Sequence, residues 1–421
     1  MAWEKLTLSR PNPVVALSAL SAAWIALAIA GAFLTNFNEP YLPFAIAGGF
    51  VFFLRCSPSR WEIYSWLLTS ALFVKIIHLP QVPFWVLRVA SAFAVLGFGA
   101  LLLLGLRALW SEQADRENAV TLLLPCLILV LFIFVSARVL SLATGLSPQT
   151  DDAWLYVFDG SLGFQPSFWM GRIMYSSIAL SRSAMLTYLS LPFAMALVCA
   201  WRVPLGARRI SGHMLIVLLV AGCVGWILYN VVPGTGPIYA FGQGFPWNSA
   251  AYQDLSTFSL QKMLIAPGIP RNAMPSLHMA WVILLWWNSR SLPRSLRAGL
   301  LLYVALTIVA TMGGGQHYLI DLIVSLPFAL AVQAAASYST RNKWRIRAMI
   351  SGVGCTAAWL ALIRFGLPWV LKSPAIPWTL ILGTASMTFW MENKLCGQKS
   401  IGVATGNESI VVSRMAAASS K

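Results

Sequence analysis

Long apolar runs dominate the chain, separated by short polar links rich in Arg, Pro and Gly. A helix needs about 20 apolar residues to cross the hydrocarbon core of a bilayer. Measured against that length, the pattern predicts about twelve membrane spans, at residues 13–34, 41–54, 63–80, 83–106, 120–144, 184–201, 211–232, 275–288, 298–312, 317–337, 347–365 and 375–391. The runs at 41–54, 275–288 and 298–312 are short for a span. The run at 13–34 is too long for the core of a signal peptide and is read as a retained helix. The expected fold is therefore all-α, a polytopic helical bundle in a membrane.

Two interruptions are too long to be simple links, at about 145–183 and 233–274. Loops above about 12–15 residues are usually functional or disordered. These two carry Trp154, Tyr156, Phe164, Phe168, Trp169, Tyr239, Phe241, Phe245, Trp247 and Tyr252, a composition that predicts order. We expect them to fold, dipping partly into the membrane, over a site. The tail from 396 to 421 is polar and rich in small residues, which predicts disorder. The domain reading is then extra N-terminal helices at 1–119, a core at 120–337, C-terminal helices at 338–395, and the tail.

Composition agrees. The chain is 58% hydrophobic and 10% charged, with 19 Trp, a ring that collects at membrane interfaces. A soluble domain is about 25% charged, so soluble, disordered and secreted disulfide-scaffold classes are excluded. The net charge of +16 would raise nucleic-acid binding in a soluble protein. Here it reads as the positive-inside bias, because most Lys and Arg fall on one side of the predicted topology. That places the N- and C-termini in the cytoplasm and both long loops outside it. Six scattered cysteines, none in CxxC spacing, suggest neither disulfides nor a metal site.

Candidate chemistry concentrates at two outer span ends. One is Asn272-Ala-Met-Pro-Ser-Leu-His278, the other Gly313-Gly-Gly-Gln-His-Tyr-Leu-Ile-Asp321. His317 and Asp321 are four apart and share a helix face. A carboxylate there can accept the imidazole N–H, fix its tautomer and raise its basicity. Asp321 is the only acid inside a predicted span, which costs about 2.5–3.5 kcal/mol on insertion scales and demands a partner. The glycine run lets backbone approach a ligand, and its N–H groups with the following helix start are expected to bind an anion. With His278 at the same depth, these residues suggest nucleophile, orienter and general acid.

Ser276-x-His278 followed, one helix later, by His317-x-x-x-Asp321 resembles the type 2 phosphatidic acid phosphatase (PAP2) superfamily. Asp159-Gly-Ser-Leu-Gly-Phe-Gln-Pro166 and Pro233-Gly-Thr-Gly-Pro-Ile-Tyr239 look like loop segments of its inositol phosphorylceramide synthase-like branch. The resemblance covers roughly 120–337 and implies a six-helix core. It implies that His317 attacks phosphorus to form a phosphohistidine, that Asp321 holds His317, and that His278 shuttles protons. It further implies Ser276 and Arg271 as phosphate ligands, with no cofactor and no metal; Gly315 joins them from the glycine run read as an anion site, and Lys262 as a substitute for a cation the pattern lacks. The substrate implied is a membrane lipid, and the acceptor an alcohol (small or lipid) or water. Two departures stand out: the superfamily's Lys-x6-Arg-Pro motif is absent, and Thr311 occupies the position of an arginine six residues before the nucleophile. Arg172 or Arg182 are further substitutes for the missing cations.

Other residues read as structural. Ser211-Gly-His213 copies the Ser-x-His pattern but at the cytoplasmic end of its span, and His78 reads as interfacial. Lys75, Arg88, Arg138 and Arg364 fall within predicted spans, most of them near enough to an end to snorkel. A secondary transporter would need two similar halves with midplane sites. The first half has no counterpart of either motif.

Overall fold

The computed structural model describes residues 40–76, 85–146, 148–203, 213–248, 260–337 and 343–418. Every predicted apolar run within them is helical. In chain order the elements are α1 (Leu42–Arg55), α2 (Arg60–Ile76), α3 (Trp85–Trp110), α4 (Gln113–Leu146), β1 (Gln149–Thr150), α5 (Asp152–Gly160), α6 (Pro166–Ser176), α7 (Ile178–Leu189) and α8 (Leu191–Arg202). There follow α9 (His213–Leu228), α10 (Pro237–Phe241), β2 (Met263–Leu264), α11 (Leu277–Trp287), α12 (Arg294–Gly313), α13 (Leu319–Ala336), α14 (Lys343–Ala361), a π-helical turn (Leu362–Gly366), α15 (Leu367–Val370) and α16 (Ala375–Ala418). The retained helix expected at 13–34 lies outside the described residues, as do His78, Ser211-Gly212 and the side chains of His213, Lys75, Arg88 and Arg138.

Among the described residues five helices are long and apolar enough to cross a membrane, and six if α7 and α8, bent by 55°, count as one. Some of the other apolar runs form broken or short helices. Pro192 sits in the first turn of α8, where it has no N–H to give the preceding turn, so the run at 184–201 breaks. The helix that follows the Ser-x-His motif, α11, has only 11 residues, about 16 Å of rise. At the other end, α16 remains helical to Ala418, through the tail whose composition predicts disorder. Once nucleated, a helix elongates at little cost per residue.

The chain divides into two compact units. In the first, which includes most of 40–139 and 182–203, small residues let helices touch. A Cβ on Gly97 of α3 would lie 2.1 Å from the Ile46 carbonyl of α1, and one on Gly48 2.4 Å from Ala196 of α8. This is the small-residue packing that membrane helices use in place of a hydrophobic drive. Arg107 closes the unit with hydrogen bonds to Glu62 (Nη2–Oε2, 2.7 Å) and the Cys56 carbonyl (2.8 Å).

The second unit holds both histidine motifs. Its central helix is α13, 83% buried against 28–39% for the other four long apolar helices. Gly352 of α14 permits close approach there, since a Cβ would meet the Pro327 carbonyl at 2.7 Å. The two long loops fold together on an aromatic core: Tyr156 lies 4.7 Å from Phe241, and Phe168 5.1 Å from Phe245, centroid to centroid. A two-residue antiparallel bridge, β1 with β2, pairs Gln149 with Leu264 and Thr150 with Met263.

Candidate active site

The approach to His317 is a tight backbone turn after α12. Gly314 N–H donates to the Ala310 carbonyl (3.0 Å), Gly315 to Met312 (3.0 Å), and both Gln316 (3.0 Å) and His317 (3.1 Å) to Thr311. Gly315 has φ +70°, and a Cβ would strike Phe245 at 2.7 Å and Ile238 at 2.8 Å. Glycine is therefore required there by backbone shape and packing, while its N–H is already engaged. Ser167 Oγ donates to the His317 carbonyl at 2.9 Å.

His317 is buried, 1% exposed as a residue. Its Nδ1 lies 2.9 Å from the carbonyl of Ala273 and 3.5 Å from Asp321 Oδ2. A carbonyl can only accept, so the proton sits on Nδ1 and Nε2 keeps its lone pair. The tautomer is fixed first by a main-chain oxygen, with the carboxylate as the more distant second partner. Asp321 Oδ2 accepts the Tyr318 N–H at 2.8 Å, and its buried Oδ1 has no hydrogen-bond partner among the described residues.

His278 faces this ring from the first turn of α11, with ring centroids 6.5 Å apart and planes tilted by 58°. It is half-buried, unlike His317. The two helices are tied at this level: Ser276 N–H donates to the Asp321 carbonyl (3.2 Å). Ser325 Oγ lies 2.9 Å from the Ser276 carbonyl and 2.7 Å from that of Asp321. Ser276 Oγ accepts the Met279 N–H at 3.4 Å.

The amides expected to bind an anion at the start of α13 are occupied by the protein's own carboxylates. Asp159 of α5 accepts Leu319 N–H (Oδ2, 2.8 Å) and Ile320 N–H (Oδ1, 3.2 Å). Seven residues earlier on the same helix, Asp152 accepts the N–H groups of Thr235 (3.1 Å) and Gly236 (2.9 Å) and the Thr235 hydroxyl (3.0 Å). Burial pushes both carboxyls above the ordinary range, Asp159 well above it, while the amide donors pull them back down. The loop that Asp152 holds carries the histidine's acceptor, because Gly234 carbonyl takes the Ala273 N–H at 2.9 Å. Gly236, at φ +92°, lets this loop lie on the backbone before His317: a Cβ would sit 2.3 Å from the Gln316 carbonyl.

Arg271, 2% exposed, donates to the carbonyls of Pro148, Ile265, Ala266 and Ile269, and so staples the two long loops together. Lys262 is exposed beside β2, within electrostatic reach of Asp151. Arg172 donates to the Pro246 carbonyl (3.1 Å), and Arg182 is exposed on α7. Arg364, in the π-helical turn, pairs with Asp151 at 3.0 Å. The structure thus brings His317, His278, Asp321 and Ser276 together and gives Arg271 a backbone-binding role. Among the described residues no group of three or more His, Cys, Asp or Glu could cradle a metal.

Sequence reasoning missed the Ala273 carbonyl, Asp152, Asp159 and Ser325. A main-chain acceptor leaves no mark in side-chain chemistry. The acids did leave one: two carboxylates spaced by seven in the apolar helix Asp152-Ala-Trp-Leu-Tyr-Val-Phe-Asp159 need partners if buried. No curated protein and no solved structure matches the chain. Residues 153–335, which include Asp159, Arg271, Ser276, His278, His317 and Asp321, match the family model of the PAP2 superfamily.

Proposed function

We propose that the protein is a membrane-embedded lipid phosphotransferase acting through a phosphohistidine on His317. The observation that carries this reading is the Nδ1 contact with the Ala273 carbonyl, which leaves Nε2 as the nucleophilic nitrogen. The facing histidine supplies the second half. Reacting atoms sit about 3–3.5 Å apart before attack, and a general acid within about 2.6–3.2 Å of its target. Rings 6.5 Å apart suit one phosphoryl group held between them rather than a direct hydrogen bond.

In the first step the Nε2 lone pair attacks phosphorus, the bond to the leaving oxygen breaks, and His278 gives that oxygen a proton. Positive charge then develops on the His317 ring, still protonated at Nδ1. Asp321, 3.5 Å away, is placed to stabilise that charge in a buried setting where such an interaction is strong. In the second step His278 takes the proton of an alcohol, whose oxygen attacks phosphorus as the P–N bond breaks and the lone pair returns to Nε2. The phosphoryl oxygens lie at the start of α11, near Ser276, and Lys262, exposed beside β2, is the candidate cation for them.

Water in place of the alcohol makes the same machinery a lipid phosphatase, and the PAP2 match supports both. The loops at Asp159–Pro166 and Pro233–Tyr239, similar to the inositol phosphorylceramide synthase-like branch, favour transfer. The Lys and Arg distribution favours a site on the non-cytoplasmic face. The test is turnover of a panel of lipid phosphates, phospholipids and ceramide by purified wild type and His317→Ala, with and without head-group alcohols. A new phosphodiester lipid made only by wild type supports transfer, and phosphate release alone supports hydrolysis. Equal products from both proteins would overturn the phosphohistidine.

A further inference from the structure

We infer that α5 is a two-point clamp on the nucleophile, with Asp159 and Asp152 as positioning residues for His317. The inference rests on the phosphohistidine reading. Its ground is that one short helix reaches His317 by two separate routes. Asp159 fills the first turn of α13, taking the N–H groups of Leu319 and Ile320, two and three residues beyond His317. Asp152 takes the N–H groups of Thr235 and Gly236. That loop's Gly234 carbonyl holds Ala273, and Ala273 in turn accepts from His317 Nδ1. The first route sets where the ring's backbone lies, and the second sets which way the ring is turned.

The helix itself is built to be immovable. Between the two acids, Leu155, Tyr156, Val157 and Phe158 are all at or below 1% exposure. Both carboxylates are fully buried, with hydrogen bonds to both oxygens. Carboxylates at amide donors make charge-assisted hydrogen bonds, shorter and stronger than neutral ones. Such bonding also explains why a helix start that would ordinarily attract substrate phosphate is closed to it. Its positive end serves as a mount, and the substrate is left to the α11 side. Arg364 steadies the same helix from the C-terminal region beyond the family match, through Asp151.

The test uses the full chain in detergent with orthovanadate, a phosphoryl analogue that needs no knowledge of the lipid. Wild type, His317→Ala, Asp159→Asn, Asp152→Asn and Thr235→Val are compared for vanadate affinity, turnover and melting midpoint. A misplacement of about 1 Å can cost on the order of 100-fold. We expect each Asn variant to lose about 10- to 100-fold in vanadate affinity and kcat, with KM and melting midpoint close to wild type. Thr235→Val, which removes a single hydroxyl from Asp152, should lose a few-fold. It keeps the Asp152 route testable should an Asn variant fail to fold. Failure of wild type to bind vanadate, or undiminished binding by His317→Ala, would overturn the phosphohistidine reading itself. Loss in His317→Ala with wild-type affinity and kcat in the folded clamp variants would overturn the clamp alone, as would losses that only track the melting midpoint.

Discussion

The starts of α11 and α13 carry the two histidines, and they are built in opposite ways. At α13 three successive amides, Tyr318 to Ile320, are taken by Asp321 and Asp159. At α11 the first turn holds no acid, and Ser276 supplies the hydroxyl beside His278. A helix N-terminus carries about half a positive charge and attracts an anion. One start spends that attraction on the protein's own carboxylates, while at the other Ser276 gives its N–H to the Asp321 carbonyl and its hydroxyl accepts the Met279 N–H. His317 is buried and His278 half-buried, a contrast that under the proposed mechanism suits a fixed nucleophile and a reachable proton shuttle.

Mutations at the two starts should therefore fail differently. The largest effect is expected at His278. His278→Ala should lower turnover by about 10²- to 10⁴-fold, the usual worth of a general acid–base group. It should still form the covalent adduct from donors with a good leaving group, which need no proton. Accumulated adduct in rapid-quench samples would support that assignment, and none would sever His278 from the proton role. Gly236→Ala comes next: it forces a Cβ within 2.3 Å of the Gln316 carbonyl at a φ of +92°. Activity and stability should fall together, by about 1–2 kcal/mol or more in stability, as measured by denaturation.

Ser325→Ala removes the hydroxyl that bridges the two starts. Loss of a neutral hydrogen bond costs about 0.5–1.5 kcal/mol, so a few-fold drop in kcat and a small fall in melting midpoint are expected. An unchanged kcat would show that the starts keep their spacing without it. The smallest effect concerns pH. Burial raises the Asp159 carboxyl above 3.8, so the folded state holds its proton more tightly than the unfolded chain does. Stability from this group is present at low pH and is lost as pH rises through the raised value. Wild type should lose stability relative to Asp159→Asn as pH rises from the acid range, and a relative gain would contradict the direction.

Much of this was legible beforehand, for reasons that show in particular residues. Apolar length located the helices, and the Ser276-x-His278 and His317-x-x-x-Asp321 spacings located the candidate reacting side chains. Hydropathy does not register the bend at Pro192 or the shortness of α11. The Gly313–Gly315 run suggested amides open to an anion. The turn instead consumes them, and Gly315 is fixed by Phe245 and Ile238 from a loop some 70 residues earlier. The resemblance suggested Arg271 as a phosphate ligand, and pattern does not show that its guanidinium also meets the carbonyls of Pro148, Ile265, Ala266 and Ile269. What pattern cannot supply is which donor meets which acceptor across long separations, such as Asp159 with Leu319 or Ala273 with His317.

The central claim is a covalent bond at His317 Nε2, and mass spectrometry of rapidly quenched enzyme tests it most directly. Wild type mixed with phosphatidic acid, phosphatidylinositol and phosphatidylethanolamine should yield a His317 peptide heavier by a phosphoryl or head-group phosphoryl unit. The adduct should be labile to acid and absent in His317→Ala. Turnover of any of these lipids with no adduct, or with His317→Ala as active as wild type, would contradict the account.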